Sequence, residues 1–369
     1  MKKILVILSL MFLMSLPVSA QSNIYSEQYD NIINSGSLKD SLDDSVQDFF
    51  NENGIDPADY NWVNKLTDKN VLSHIFEFVT GGIKQPLLTG VTIIGVILAT
   101  AALTAFGDAP RFETAIYAAA LSISAIIASD IWQSVSAAVN AVKSCSTFML
   151  SFVPVFAATL ALSGKTVTAS SMSALLLTAT EAVSFISSFT ILPLMGGYLA
   201  LSIGTGVSPL LNNSGIVDSI KKISMWILSL ISTVFIGVLS IQTAVNSAAD
   251  SVTLRTAKFI LGTSVPVAGS VLCEAVSTIS SSMGLLRSSI GIYGVVALAA
   301  ILLPIIAELV IWRAVLLVTS ALSELFSLPK ITGILKAVDS MLSVLLGVVL
   351  LVGGLFIISL SVVITAGKG

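Results

Sequence analysis

The stretch "IYGVVALAAILLPIIAELVIWRAVLLV", residues 292–318, decides the fold class because it carries only two charges, Glu308 and Arg313. A helix of about 20 predominantly apolar residues crosses a bilayer, so this run predicts a transmembrane helix. Five further runs have the same character. They cover residues 87–106, 114–132, 189–208, 223–244 and 341–366.

The composition agrees with a membrane protein: 55% of the residues are hydrophobic and 11% are charged, whereas about a quarter are charged in soluble domains. Two regions, about 144–187 and 255–288, are too polar to be confident spans and too apolar to be soluble loops. We therefore predict an all-α, polytopic membrane helix bundle of six to ten spans. The net charge of −3 is too small to indicate a nucleic-acid partner.

The N-terminus has the pattern of a secretory signal peptide. Lys2 and Lys3 precede the short apolar run "ILVILSLMFLMSL", and "PVSA" ends at Ala20 with small residues at the cleavage positions. We predict a signal peptide at residues 1–20, and the alternative is an uncleaved anchor helix. Both place the chain from residue 21 onward outside the cytoplasm.

Residues 21–84 form a predicted extracytoplasmic acidic helical segment, with eleven of the chain's 21 acidic residues. The turn before Gly54 does not fit a calcium loop, because Phe49 stands where the first oxygen ligand should be. Apolar residues recur instead at helical spacing, which predicts an amphipathic helix that packs on the membrane or a partner. They are Leu38, Leu42, Val46 and Phe49.

The polytopic domain, residues 85–369, contains an apparent internal direct repeat. "FVPVFAATLALSGKTVTASSM" at 152–172 and "SVPVAGSVLCEAVSTISSSM" at 264–283 begin and end alike. The pattern predicts copies at about 86–190 and 193–300, followed by two final spans, an arrangement common in transporters and channels. Three residue pairs match at offsets of 111 or 112: Pro154 and Pro266, Ser171 and Ser282, and Pro193 and Pro304.

Each of these two stretches predicts a helix, a break and a second helix, because proline removes a backbone donor and interrupts a helix. A re-entrant hairpin and a tightly packed pair of short helices both fit. The alternative is a kinked structural helix pair in which small residues allow close packing.

Charges within apolar sequence are candidates for functional residues, since they normally face a bundle interior or water. Glu308 lies deep in a span and is the best candidate. Glu274 and Arg287 flank the second serine run, so a hairpin there would bring them together. Arg313 is expected to extend toward the cytoplasmic interface.

The loop charges favour one topology. With residues 21–84 outside, the loops that hold Arg111, Lys221–Lys222, and Lys330 with Lys336 are cytoplasmic, which agrees with the positive-inside rule. The C-terminus is then external.

No catalytic, cofactor or metal motif appears in the sequence. His74 is the only histidine, and "SGKT" at 163–166 lacks the phosphate-loop glycine because Thr159 stands there. We expect no enzyme activity and no cofactor. Whether Cys145 and Cys273 pair is not decided by their spacing.

The stretch "TAKFILGTSVPVAGSVLCEAVSTISSSMGLLRSSIGIYGVVAL", residues 256–298, resembles the stage III sporulation protein AE family. The residues that carry the resemblance are Pro266, Gly269, Glu274, Arg287 and Gly291. The layout of signal peptide, short outer segment and multi-span region resembles the family along the whole chain.

The resemblance implies a membrane subunit of the channel or secretion-like complex that links mother cell and forespore. Its location would be the mother-cell membrane around the forespore. Its partners would be the lipid bilayer and other membrane subunits, and self-association is left open. The alternative is a small-solute transporter that binds its substrate at the repeat interface.

Overall fold

The computed structural model describes residues 35–57, 62, 69–105, 110–186, 192–207 and 269–366, together with short stretches between 219 and 256. Every regular element in these residues is helical, which confirms the all-α prediction. The predicted signal peptide lies outside the described residues. The helices are α1 Ser35–Asp40, α2 Asp44–Glu52, α3 Lys69–Thr80, α4 Lys84–Thr104, α5 Pro110–Leu162, α6 Thr166–Ile186, α7 Leu192–Val207, α8 Ser229–Asn246, α9 Gly269–Leu325 and α10 Pro329–Ala366.

Two tight turns connect the long helices. Gly164, with φ 80°, ends α5, and the amide of Lys165 donates to the carbonyl of Leu160 at 3.0 Å. A residue with positive φ at this position is the usual helix terminator, and glycine adopts it without steric cost. The α9–α10 turn has Ser327 at φ 54°, followed by Pro329 at the first position of α10.

The long helices exceed the thickness of a membrane. Helix α5 has 53 residues and α9 has 57, which at about 1.5 Å per residue gives lengths of roughly 80 Å. A hydrocarbon core is about 30 Å thick. Only part of each helix can therefore lie in the core of one bilayer.

Close glycine contacts fix how these helices lie against each other. Gly294 of α9 meets Phe152 of α5 and Leu360 of α10, while Gly353 of α10 meets Leu302 of α9. At the other end of the bundle, Lys330 of α10 pairs with Glu113 of α5 at 3.5 Å. Helices α5, α9 and α10 thus run side by side for most of their length.

The acidic segment packs on the half of this bundle that lies away from the α9–α10 turn. Phe50 makes an edge-to-face contact with Tyr293 of α9 at 5.4 Å between ring centroids, and Phe49 stacks on Phe78 at 4.7 Å. The predicted apolar stripe is buried, but on the chain's own bundle rather than on the membrane or a partner, and it is divided between α1, the turn after it and α2. Its members are Leu38, Leu42, Val46 and Phe49.

Five described helices are long and apolar enough to cross a membrane, so the chain is a multi-pass helical membrane protein. The sixth predicted span, 189–208, corresponds to α7, which is described over only 16 residues. The first span begins at Ser73, well before the predicted residue 87, because α3 leads into it. The five are Ser73–Thr104, Glu113–Leu162, Ser229–Asn246, Ser289–Leu325 and Pro329–Ser361.

The internal repeat is not confirmed. The first copy turns back at Gly164, whereas helix α9 continues without interruption from Gly269 through Ser282, so no break occurs at the second serine run; Pro266 lies outside the described residues. Pro193 lies in the first turn of α7, whereas its partner Pro304 lies deep inside α9. Serine tolerates a helix interior when its hydroxyl bonds back to the preceding turn, so a serine run alone does not break a helix.

Candidate functional site

The first membrane span contains a break in its helical pattern. Helix α3 ends at Thr80, the short 3-10 segment Gly81–Ile83 follows, and α4 begins at Lys84. Such a segment inside a longer helix often marks a hinge or a functional site. Pro86 has no N–H, so the carbonyl of Gly82 cannot accept the helical hydrogen bond that residue 86 would otherwise donate.

Glu308 of α9 lies directly against this break. A Cβ atom on Gly82 would be only 3.4 Å from Glu308 Oε2. The other carboxylate oxygen, Oε1, accepts a hydrogen bond from the buried hydroxyl of Ser134 on α5. The best candidate from the sequence therefore faces the bundle and joins the broken span to α5.

A second carboxylate, Asp130, lies one turn from Ser134 on α5. Its Oδ2 accepts a hydrogen bond from the buried hydroxyl of Thr89 at 2.5 Å and another from Nε2 of Gln85 at 3.3 Å. Thr89 and Gln85 both belong to α4, immediately after the break. We call Gln85, Thr89, Asp130, Ser134 and Glu308 the polar cluster.

The polar cluster has no positive partner in the described part of the chain. The four ion pairs found there do not include Asp130 or Glu308. Hydroxyl and amide donors supply all the hydrogen bonds that these two carboxylates accept from described residues. Both carboxylates are half-buried, and their described partners are all neutral donors.

Trp312 follows Glu308 by one turn of α9. It is 1% exposed, and its Nε1–H has no hydrogen-bond partner among the described residues.

The cluster lies well away from the end of α9. Glu308 precedes the end of α9 at Leu325 by about 25 Å of helix. Charged side chains gather at that end, where Lys330 pairs with Glu113 and Lys336 bonds to Glu324. If those charges mark one face of a core about 30 Å thick, the polar cluster is close to the other face.

Arg313 does not extend to the interface as expected. Its Nε donates to Asp339 Oδ1 of α10 at 2.8 Å, and the two side chains are 35% and 28% exposed. The sequence reasoning missed Asp339 because it lies just before the predicted last span. This pair lies between the polar cluster and the α9–α10 turn. Arg313 is therefore compensated by Asp339 and is not a partner for the carboxylates of the polar cluster.

The predicted pairing of Glu274 with Arg287 is wrong. Both residues belong to the continuous helix α9, which separates them by about 20 Å along the axis. Gly269 is the first described residue of that helix, and Pro266 lies outside the described residues.

The other predicted site residues occupy ordinary packing positions. Pro154 lies inside α5, and Ser171 of α6 bonds back to the carbonyl of Val167 at 2.7 Å. Gly291 allows Ile364 of α10 to approach closely. None of these three belongs to the polar cluster.

Sequence reasoning also missed a buried carboxylate that caps α6. Asp250 is fully buried and accepts hydrogen bonds from the amides of Val167 and Thr168 at 2.8 and 3.2 Å, and from the Thr168 hydroxyl at 2.5 Å. This carboxylate satisfies amides that have no partner in the first turn of a helix. Asp250 follows α8 in the chain, so these hydrogen bonds link that part of the chain to the start of α6.

Comparison with known proteins gives one consistent result. The model of the family described as stage III sporulation protein AE matches residues 60–367. A relative of that name from Bacillus subtilis (strain 168) is 30% identical over 232 residues. The match covers 63% of this chain and 58% of the relative's length. No solved structure matches the chain significantly.

Proposed function

Because the chain belongs to the stage III sporulation protein AE family, we propose that it is a non-enzymatic membrane subunit of the channel or secretion-like complex between mother cell and forespore. One observation supports this proposal beyond the family: α5 and α9, at roughly 80 Å, are longer than a hydrocarbon core of about 30 Å, and their bundle bears a folded acidic segment. A solute carrier needs no such extension, whereas a subunit that meets other proteins outside the bilayer does.

The acidic segment supports one assignment of the part of the bundle that lies outside the membrane. Exposed carboxylates, including Asp44 and Asp48 of α2, lie at the level where Phe50 contacts Tyr293. Charged side chains at that level exclude hydrocarbon, because each would cost about 2.5–3.5 kcal/mol at the core of a bilayer. Along α9, Tyr293 is about 48 Å from the end of the helix at Leu325. This distance is greater than the roughly 30 Å thickness of a hydrocarbon core, so both ends cannot lie within the core.

The outer tier is the part of the bundle beyond that boundary: α1, α2, the second half of α5, α6, the first half of α9 and the end of α10. We place it on the extracytoplasmic side, in agreement with the predicted signal peptide and loop charges. Its acidic surface is available to other subunits of the complex, while the lower halves of α5, α9 and α10 hold it in the membrane.

The alternative function, transport of a small solute, has one observation in its favour. A broken span beside buried polar side chains is how many transporters build their binding sites, and the polar cluster has that form. Uptake of a solute by liposomes that contain only this chain would favour the transporter.

Photo-cross-linking in sporulating cells tests the proposal. A photoreactive amino acid at Asp48, on the outer tier, should give covalent adducts with other membrane proteins of the sporulation complex. The same amino acid at Leu98, an exposed apolar position of α4, is the control and should react mainly with lipid. The proposal is wrong if Asp48 gives no protein adduct while the chain accumulates normally and spores form.

The placement of the outer tier has a separate test. Asp48→Cys should react with an impermeant thiol reagent in intact cells, whereas Gly333→Cys, in the first turns of α10, should react only after permeabilisation. The opposite pattern would place the outer tier in the cytoplasm.

A further inference from the structure

We propose that α8 is the surface through which two copies of this chain pair outside the membrane. The inference rests on the placement of the outer tier under the proposed function, and it names a second copy of the chain as one protein that meets this part of the bundle. Four observations carry it: the level of α8 in the bundle, the exposure of its apolar side chains, the absence of charge along it and the open space at Gly237.

Asp250 indicates the level of α8 in the bundle. Its carboxylate caps α6 through the amides of Val167 and Thr168, immediately after the α5–α6 turn. Along α5, that turn is about 74 Å from Glu113, which pairs with Lys330 at the α9–α10 end of the bundle. The residues that follow α8 are therefore at the end of the bundle farthest from the α9–α10 turn.

Helix α8 itself is then beyond a hydrocarbon core that begins at the α9–α10 end. A helix from Ser229 to Asp250 is about 32 Å long, so even if it ran straight back along α5 its start would remain about 42 Å from Glu113. A core about 30 Å thick, counted from that end, does not reach it. Tyr293, which contacts Phe50 of the acidic segment, is about 48 Å from the same end along α9. The charged segment and α8 thus share one level.

The side of α8 that faces away from the bundle is apolar and uncovered. Leu239 is 2% exposed and packs into the core, whereas Val234, Ile241 and Val245 are each more than half exposed. Of the five candidate spans, α8 is the least buried, with 12% of its residues buried compared with 33–56% in the others. Exposed apolar patches of this kind mark contacts with protein or membrane.

One bilayer does not cover both this face and the apolar face of α4. The exposed side chains of α4 include Leu88, Val91 and Leu98, and Gly90 of the same helix meets Val315, about 15 Å from the end of α9. The α4 face is therefore at the level where the lower halves of the long helices hold the chain in the membrane. The α8 face is at the level of the outer tier, where a protein must cover it.

Charge favours α8 over the acidic segment as the place where a second copy binds. Contact about a two-fold axis brings a surface against the same surface of the other copy, and like charges on two such surfaces repel. No charged residue occurs from 223 to 249, so the α8 face can meet itself without repulsion. The acidic segment, in contrast, has five exposed carboxylates: Asp40, Asp43, Asp44, Asp48 and Glu52.

The hydroxyl groups on the α8 face need no polar partner. Thr233 donates to the carbonyl of Ser229 at 2.9 Å, and Ser240 donates to the carbonyl of Ile236 at 2.8 Å. Burial of an unpaired hydroxyl is costly, but these two are already satisfied within their own helix. The face is therefore suited to an apolar surface like itself.

Gly237 is the expected centre of the contact. A Cβ atom there would have no atom within 4 Å, so packing inside the chain does not require this glycine, although glycine weakens a helix interior. At 3.6 residues per turn, Gly237 lies on the side of α8 opposite Leu239. Ser229 and Thr233 precede it at intervals of four, and small residues at this spacing let two helices approach closely. Two copies anchored in one membrane have the same orientation, so their α8 helices would meet in parallel.

Disulfide cross-linking of the full chain in membranes is the first test. Thr233 and Ala244 are exposed on the same side of α8 as Gly237, whereas Val238 is exposed but lies about a quarter of a turn from Gly237. A mild oxidant should link at least one of Thr233→Cys and Ala244→Cys into dimers and should leave Val238→Cys monomeric, because a disulfide needs Cβ atoms about 3.8 Å apart. Mass spectrometry must find the bond between the two introduced cysteines. No dimer in either of the first two variants, or as much dimer in Val238→Cys, overturns the proposal.

Co-purification of two differently tagged copies in mild detergent is the second test, and it begins with the unaltered chain. Unaltered copies should co-purify, and Gly237→Leu should lose this pairing, because its side chain enters the space that the second copy needs. Gly95→Leu in α4 is the matched control, since a Cβ atom at Gly95 also has no atom within 4 Å, and it should pair normally. Absence of pairing in the unaltered chain, normal pairing of Gly237→Leu, or equal loss in both variants contradicts the proposal.

These results are separable from those that test the proposed function. If α8 fails both tests while Asp48 gives adducts with other membrane proteins, membership of the complex stands and the pairing of copies is wrong. If the copies pair through α8 while Asp48 gives no adduct, the pairing stands and the proposed function is wrong. A photoreactive amino acid at Ile241 that reacts only with lipid would place α8 in the bilayer and overturn the pairing.

Discussion

Replacing Gly294 by alanine tests the packing of the outer tier most directly. The added Cβ would lie 2.5 Å from Phe152 Cζ and 2.7 Å from Phe152 Cε2, with Leu360 Cδ1 at 3.1 Å. Carbon atoms in contact are normally about 3.5–4.0 Å apart, so the Phe152 ring must move by about 1 Å. That ring is fully buried and stacks on Phe156 at 5.4 Å, so it has little room to move.

Two opposing contributions set the expected magnitude. Inserting a methyl group into a well-packed core costs about 1–3 kcal/mol, while replacing glycine by alanine within a helix gains about 0.8–1.0 kcal/mol. Gly333 of α10 provides the control, because an added Cβ there has no atom within 4 Å. Gly333→Ala should therefore be neutral or stabilising, and Gly294→Ala should be less stable than it by about 1–3 kcal/mol, the full cost of insertion.

Thermal unfolding in detergent, followed by size-exclusion chromatography, measures this difference. Gly294→Ala should lower Tm relative to Gly333→Ala, and a second change, Phe152→Leu, should remove part of the penalty by deleting the ring edge. Equal Tm values for the two alanine variants would refute the close approach of α5 and α9. Strict additivity of Gly294→Ala with Phe152→Leu would refute the contact itself.

Three further predictions follow from other contacts. Arg313→Leu and Asp339→Leu should each lower Tm, because each leaves the partner's charge unpaired, at a cost of about 2.5–3.5 kcal/mol in the membrane. The double variant should be more stable than either single variant, and additive losses of stability would contradict the ion pair. Asp250→Ala should destabilise the first turn of α6 by about 0.5–2 kcal/mol, seen as faster hydrogen exchange at Val167 and Thr168, and unchanged exchange would exclude the cap. Phe50→Ala should cost about 3–5 kcal/mol and make the acidic segment sensitive to protease, and protease resistance equal to that of the unaltered chain would contradict the packing of Phe50 on Tyr293.

The sequence predicted those structural features that depend only on neighbouring residues in the chain. The apolar runs gave the membrane helices because hydrophobicity over about 20 residues is sufficient to place a helix in a bilayer. The stripe that includes Val46 and Phe49 was predicted because helical spacing is sufficient to define a buried face. Glu308 was selected as a candidate because charges in an apolar run normally face a bundle interior or water, and it does contact α5 through Ser134.

The parts that were wrong or missed depend on contacts between distant residues. Thr89 meets Asp130 across 41 residues and Ser134 meets Glu308 across 174, and no local pattern reports such pairings. The hairpin prediction at residues 264–283 relied on Pro266, which lies outside the described residues, and on a serine run, which is compatible with both a turn and a helix interior. Helix α9 continues there because no glycine with positive φ ends it, unlike Gly164 after α5.

The two kinds of charge inside the membrane bundle have different physical explanations. Arg313 and Asp339 compensate each other, so a structural role accounts for both. Asp130 and Glu308 bind only neutral donors in the described residues, and amide side chains would stabilise the same helix contacts without the cost of two charges. Their position beside the helix break adds a carbonyl without its helical donor to the same place. Helix packing alone explains neither the choice of carboxylates over amides at 130 and 308 nor the carbonyl left without its helical donor at Gly82.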